Sequence, residues 1–346
     1  MNYKAFSKLV LFVCMLSFTL SACKDHTVVT QKLAAPVDTV TEDIALPTIM
    51  KYCEGHLYVV DLFTEKMSVK IFDVVSHKTL CEFGQRGHGA GEFLHISSTD
   101  LYKKADGVHI LLYDPMKACV TDYSEKNLLA ENQVGSVVPV AGKDDVRYTE
   151  IYKLAKGYIA TGLFANGSKY AMLDDSLRLV DYQGKYLENA GHSKDPMKLA
   201  IANNGQTVFN KDRSRFAEIV YMANELSFYK VNGHEIEKDA HYTIAPLNYD
   251  VSGDHIKNNE NEGYLSAAYS KENVFALYCG IPESEGIATY AKEVHVFDLD
   301  GNLQKKLVLD HAAFQICVND DATKLYVLYH EPTPCTVAYD LKNIGN

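Results

Sequence analysis

The sequence predicts an all-β protein, a β-propeller of six four-stranded blades that follows an export signal and a short linker. Two observations carry this. One theme returns six times: a short β-rich run, a turn, then a second run ending in an aromatic residue and often an acid. Equivalent points at Tyr58, Ile110, Ile159, Ala217, Phe275 and Tyr326 stand 52, 49, 58, 58 and 51 residues apart. Periods of about 40–50 residues made of strand-type runs mean propeller blades. The second observation is composition. Val, Ile, Tyr and Phe dominate the runs, while Gly, Asn and Asp collect in the gaps, where backbone turns need them.

The first element is the export signal. Lys4 and Lys8 precede LVLFVCMLSFTL (9–20), an apolar run with the length of a signal-peptide core and too short to span a bilayer as a helix. It ends in Leu20-Ser21-Ala22-Cys23, which resembles the lipobox of bacterial lipoproteins. That resemblance implies cleavage after residue 22, acylation of Cys23, and anchoring by several acyl chains, each buried CH2 adding about 0.8 kcal/mol. Lys24 follows where some bacteria carry an inner-membrane retention Asp, so the expected location is the outer membrane, facing the periplasm or the cell exterior. Residues 1–22 are thus a signal peptide, 23–46 the lipidated Cys, a linker and a possible ring-closing strand, and 47–346 the propeller.

The chain carries a formal net charge of −11, and losing the two lysines of residues 1–22 takes it to −13. Nucleic-acid phosphates require a basic surface, so no nucleic-acid partner is expected. Six cysteines remain after processing and acylation: Cys53, Cys81, Cys119, Cys279, Cys317 and Cys335. None forms a C-x-x-C pair of the zinc or thioredoxin type. Most lie in apolar runs, where a buried free thiol is the commoner state, and the sequence specifies no bridge.

The blades follow in order. Their paired runs are LYVVD and VKIFD (57–61, 69–73), VHILLYD and CVTDY (108–114, 119–123), and GYIATG and KYAMLD (157–162, 169–174). RFAEIVY and LSFYKV (215–221, 226–231), NVFALYC and VHVFDLDG (273–279, 294–301), and KLYVLY and CTVAYDL (324–329, 335–341) complete the six. DLDGN (298–302) and VNGH (231–234) read as hairpin turns, because Asp-Gly and Asn-Gly accept positive φ at low cost. In AEIVYMANELSFY (217–229) the spacing of Ile219, Met222, Leu226 and Tyr229 also suits a helix, but the repeat predicts a hairpin there. HSKDPMKLAIANN (192–204) predicts a short helix in a connection. The sixth unit runs out of chain after its second run and would lack an outer strand. TVVTQKL (27–33) or TVTEDIAL (39–46) can supply it, and the second is favoured.

Between the first two units lies FGQRGHGAGEF (83–93). It lacks the G-x-x-x-x-G-K-[ST] of a phosphate loop and the G-x-G-x-x-G of a dinucleotide site, so it predicts a turn whose glycines supply left-handed backbone. LYVVD…VKIFD followed by this stretch resembles the NHL-like and TolB-like six-bladed propeller lipoproteins of Bacteroidetes, with Ala90 where those usually carry Pro. NDDATKLYVLY (319–329) is similar to the Asp-Gly-Lys start of many propeller blades, with Ala322 in the glycine's place. The resemblance covers about residues 47–346 and implies a fold without an activity.

Candidate chemistry is sparse. The thirteen His are scattered, and HEIEK (234–238) offers Lys238 where a zinc motif needs its second His. His88 and Arg86 could meet an anion in the glycine loop. His109 and His295 alternate with apolar residues within strands and are expected on blade surfaces. Asp61, Asp114, Glu218 and Asp298 sit at run edges. They are read as turn formers, although lactonase-like propellers hold calcium in the channel with such acids. NNENEG (258–263) and the Asp pairs 144–145, 174–175 and 320–321 lack EF-hand spacing, and no G-x-S-x-G occurs. Asp38-Thr39-Val40 and Asp175-Ser176-Leu177 resemble Bacteroidetes O-glycosylation sites.

The sequence therefore assigns one functional residue, the lipid attachment Cys23. It assigns no catalytic residue, metal ligand or cofactor and names no ligand-binding residue. The expected function is a membrane-anchored, non-enzymatic binding or scaffolding propeller, with a protein or glycan partner at its loops and the membrane held through Cys23. The alternative is a metal-dependent hydrolase or lyase in the central channel. Three or more carboxylates or His converging on the innermost strands would favour the enzyme, and an apolar or Tyr-lined channel the binder.

Overall fold

The computed structural model describes residues 28–342, apart from 42–43, 63–66, 141–145, 188–194, 246, 253–254, 259–262 and 282–289. The signal segment, Cys23, Asp144–Asp145 and most of NNENEG lie outside the described residues.

Six antiparallel sheets follow one another along the chain. Blade one is Pro47–Cys53, His56–Asp61, Ser68–Asp73 and Thr79–Phe83; blade two is Ser98–Lys104, Gly107–Asp114, Cys119–Ser124 and Ser136–Pro139. Blade three is Arg147–Lys153, Tyr158–Leu163, Ser168–Leu173 and Leu179–Lys185; blade four is Gly205–Phe209, Arg215–Val220, Glu225–Asn232 and Glu235–Thr243. Blade five is Tyr264–Tyr269, Asn273–Tyr278, Ala291–Asp298 and Leu303–Ala313; blade six begins with Gln315–Val318, Lys324–Tyr329 and Cys335–Asp340. The paired runs read from the sequence are the second and third strands of each blade. The first strand, innermost in the ring, was not part of that pattern.

The reason lies in burial. A middle strand is covered on both faces by neighbouring blades, so it becomes a continuous apolar run, as parallel sheets do when covered on both sides. Val59 and Val60 are both fully buried, on opposite faces of blade one, and Ile110, Leu111 and Leu112 repeat this in blade two. Each face joins a different apolar cluster: Val59 packs towards blade six and Val60 towards blade two. Outer strands such as Thr79–Phe83 are mostly exposed and carry little apolar signal.

The two intervals of 58 have a structural cause. After blade three the chain inserts the helix Pro196–Ala202, whose N-cap Asp195 accepts a hydrogen bond from the Met197 amide at 2.9 Å with Pro196 in the first turn. After blade four it inserts a two-stranded hairpin, Tyr249–Ser252 with His255–Asn258. AEIVYMANELSFY is a hairpin, with Ile219 opposite Leu226.

The N-terminal segment closes the ring. Asp38–Thr41 pairs antiparallel with Cys335–Asp340 and is the fourth strand of blade six, with Val40 and Thr41 buried. Val29–Lys32 adds a fifth, parallel strand to the outer edge of blade five. Both segments weighed for closure are therefore used, on two different blades. Thr39 is exposed but stands in this closing strand, opposite Val337, and not in a free linker.

The run-edge acids hold turns. Asp114 is fully buried and accepts from the amides of Leu94, His95, Met116 and Lys117 at 2.7–3.3 Å. Asp61 accepts from Ala45 and Leu46, and Asp298 from Asp300 and Asn302. Glu218 departs from this pattern. It is buried within blade four and paired with buried Lys169 at 2.5 Å. His109 is buried between Asp106 and Asp122, each at 3.0 Å. His295 is fully buried, bonded to the Tyr264 hydroxyl at 2.9 Å and Glu293 at 2.6 Å, so it lies in the interior of the ring and has no exposed face. Ala322 takes φ +53°, the left-handed region that glycine enters at least cost.

Candidate functional site

The innermost strands leave backbone groups facing the ring axis without a strand partner, and buried backbone groups need partners. Side chains of the next blade supply them. The Gln315 amide accepts from Met50 N–H at 2.7 Å and donates to Thr48 C=O at 2.6 Å, joining blade six to blade one. Ser98 Oγ takes Ile151 N–H at 3.2 Å, Ser266 Oγ takes Ile316 N–H at 3.2 Å, and Gln206 accepts from Ala267 N–H at 2.7 Å. These links fix the innermost strands around a polar central channel.

One end of that channel is shut. Arg213, in the first turn of blade four, adopts φ +63° and sends its guanidinium past blade three to blade two. There Nη2 donates to Asp100 Oδ1 at 2.8 Å and to the Leu101 carbonyl. Asp100 Oδ2 also accepts Lys153 N–H at 2.8 Å, and the guanidinium lies 5.0 Å from the centre of the Phe209 ring. A strained residue held in place by its surroundings is a common mark of a functional position. Below this floor, Lys103 pairs with Glu54, and Lys211 spans Glu54 and Asp320, tying the turns of blades one, two, four and six.

The other end is open. A cavity of about 1100 Å³ descends from it, walled by His95–Thr99 of blade two, Arg147–Glu150 of blade three, Gly205–Gln206 of blade four and Gln315 of blade six. Tyr113, Tyr148, Tyr152 and Tyr221 face it, and Lys51 lies at its depth. A side cleft of about 240 Å³ runs between blades three and four under the helix Pro196–Ala202, past Glu150, Thr161 and the Lys169–Glu218 pair.

Two charged groups stand out in the cavity. Burial pushes the Glu150 carboxyl up to about 7, against the opposing pull of the Tyr152 hydroxyl and Lys51. Burial likewise pushes the Lys51 ammonium down, although Asp100 and Glu150 attract it. Among the described residues no carboxylate lies within ion-pair distance of Lys51, since Asp100 is engaged by Arg213.

The glycine stretch is a self-contained turn that supports this mouth. Gly84 and Gly91 have φ of +80° and +74°. Glu92 accepts from Gly89 N–H at 2.7 Å and the Gln85 amide at 2.6 Å, and Lys117 donates to three of the loop's carbonyls. Arg86 and His88 point to solvent away from the cavity. The loop delivers His95–Ser97 to the cavity wall, where Asp114 pins their start.

The channel matches neither expected extreme. Its carboxylates are Asp100 and Glu150, and among the described residues no group of three His, Cys, Asp or Glu could hold a metal. The donor set does not fit the calcium of a lactonase-like centre. Its walls are aromatic, but the depth is polar and charged. Lys51, Glu150 and Arg213 were missed because they stand on innermost strands or their turns, outside the repeated apolar runs. Polar residues ahead of each paired run, such as Ser98, Gln206, Ser266 and Gln315, were the available signal. Among the described residues no disulfide joins any of the six cysteines.

The pattern of the TolB-like 6-blade propeller-like family matches residues 25–321. A DUF4221-family protein from Bacteroides vulgatus is 12% identical, covering 90% of this chain and 96% of its own, with a TM-score of 0.53. A putative exported protein from Bacteroides fragilis is 10% identical, covering 90% and 99%, with a TM-score of 0.55. No curated protein matches the chain. Likeness at these identities concerns the fold.

Proposed function

The chain belongs to the TolB-like six-bladed propeller family, and from that premise we propose that it is a binding module whose ligand enters the open mouth of the channel. The observation that carries this is the blind cavity, closed at one end by Arg213 and the turn ion pairs and walled by four tyrosines at the other. Concave sites with aromatic walls and a few placed polar groups are where small ligands bind. A metal-dependent reaction would need a donor set, and among the described residues none occurs; the Thr161 hydroxyl that meets Glu150 at 3.4 Å lines the side cleft and not the main cavity. The test is a glycan and peptide array probed with the mature chain in a chelator. Thr149→Trp, at an exposed position on the cavity wall, should abolish the signal without lowering the melting temperature. Metal-dependent cleavage of a lactone, ester or glycan by the same protein would sink the binding reading.

We also propose that Cys23 tethers the module to the outer membrane with its mouth turned away from the bilayer. First strands run from mouth to closed end, so the outer strand of blade five starts at the closed end. Val29 lies parallel to it, opposite Lys305. Only four residues, 24–27, lie between Cys23 and Val28, and the five Cα steps reach at most about 17 Å. Cys23→Ala should lose the acyl label and leave an uncleaved or soluble product with the propeller folded. In the tethered protein, a fluorophore at Asp212→Cys should be quenched by a lipid-borne quencher and one at Thr149→Cys should not. Unchanged detergent partitioning of Cys23→Ala together with no loss of acyl label defeats the anchor, and equal quenching defeats the orientation alone.

A further inference from the structure

The cavity floor has a polarity opposite to that of the whole chain. The protein is strongly acidic, yet the cavity presents the Lys51 ammonium at its depth and the Arg147 guanidinium, exposed, at its rim. Every group facing Lys51 has a limited capacity to balance it. Asp100 is tied to Arg213 at 2.8 Å, Arg213 is itself a cation, Cys317 is a buried thiol, and Glu150 accepts a Thr161 hydroxyl at 3.4 Å from the neighbouring strand. An ammonium partly withdrawn from water without a paired anion is costly, and a site that keeps one has a place for an incoming anion.

Building on the binding reading above, we infer that the cavity takes a sugar-sized anion, with its carboxylate or phosphate oxygens on Lys51 and its ring among Tyr148, Tyr152 and Tyr221. The cavity volume suits this occupant and leaves room for a larger substituent towards the mouth. Inward field lines between low-dielectric walls concentrate anions there even though the outer surface repels them. Asn204 and Gln206, whose amide oxygen is taken by Ala267 N–H, add uncharged hydrogen-bonding groups to the cavity lining.

The pH dependence follows from the two groups. The Glu150 carboxyl, pushed up to about 7 by burial, takes a proton as pH falls, which removes one of the two nearby negative charges that attract Lys51 and leaves only Asp100, already held by Arg213. Lys51, with its pKa lowered, holds its proton more fully as pH falls. Both effects favour the anion at lower pH.

Isothermal titration of the mature chain with D-glucuronate, D-glucose 6-phosphate and D-glucose tests this. At pH 6 at least one anion should bind ten-fold or more tightly than glucose, and its affinity should fall several-fold by pH 8. The two anions separate carboxylate from phosphate recognition. Lys51→Met should reduce the better anion to the level of glucose and Lys51→Arg should restore part of the difference. Because Met removes an unpaired, half-buried charge and keeps the apolar stem, its ligand-free melting temperature should not fall, which separates lost binding from lost fold. Equal binding of all three sugars, binding of none, or unchanged anion affinity in Lys51→Met overturns the inference. An array ligand that is uncharged and blocked by Thr149→Trp would leave the binding module standing while removing the anion.

Discussion

Deleting residues 1–41 should abolish the cooperative fold, whereas deleting residues 1–27 should leave the urea midpoint unchanged. Asp38–Thr41 is the fourth strand of blade six, and Val29–Lys32 edges blade five. Leu33, 5% exposed, and Val40, 1% exposed, belong to the cluster that joins blades five, six and one. Burying each such side chain contributes about 1.5–3 kcal/mol. The ladder to Cys335–Asp340 adds its hydrogen bonds, and its loss leaves the last strand as an open edge that templates aggregation. Together these approach the roughly 5–15 kcal/mol that holds a typical domain folded. The contrast between the two truncations isolates ring closure from loss of the signal segment. Identical unfolding midpoints and a monomeric elution profile for the shorter chain would show that closure contributes little.

Much of this architecture was legible, and the boundary between what was and was not has a physical basis. The middle strands are buried on both faces, so Leu57–Val60 and Ile110–Tyr113 stand out as apolar runs, and six such pairs fix the blade count. The missing outer strand of blade six was also legible, because a sheet edge left unpaired next to a free N-terminal segment has an obvious partner. The innermost strands were not. They turn a backbone edge to the channel and use small polar side chains to bond the next blade, so Ser98-Thr99-Asp100 or Gly205-Gln206-Thr207 reads like a loop although Ser98, Thr99, Asp100 and Thr207 are buried. Their role comes from contacts far away in sequence, such as Gln315 with Thr48 and Met50. Arg213 shows the same limit. KDRSR between two strands reads as a solvated turn, and only the closed ring reveals that its guanidinium meets Asp100 across the axis. A charge whose partner lies 113 residues away leaves no local pattern.

That pair supports the second large effect. Arg213→Met and Asp100→Asn should each destabilise the propeller by about 3–5 kcal/mol, the usual consequence of leaving one buried charge without its partner. Both side chains are nearly closed to solvent, at 9% and 8% exposure, so bulk water screens the interaction poorly. In Arg213→Met the Asp100 carboxylate keeps only the Lys153 amide. In Asp100→Asn the guanidinium keeps the Leu101 carbonyl and the face of Phe209, with its Nη1 already lacking a partner. The double substitution removes both charges, and its loss should be well below the sum of the singles, with an interaction energy of about 2 kcal/mol or more, within the range for directly paired groups. Urea unfolding of the three variants measures this. Additive losses would mean that the two charges act independently and that the floor is held by the surrounding turns. Small losses in all three would mean that water enters the closed end and screens the pair, which would also remove the blind end on which the binding reading depends.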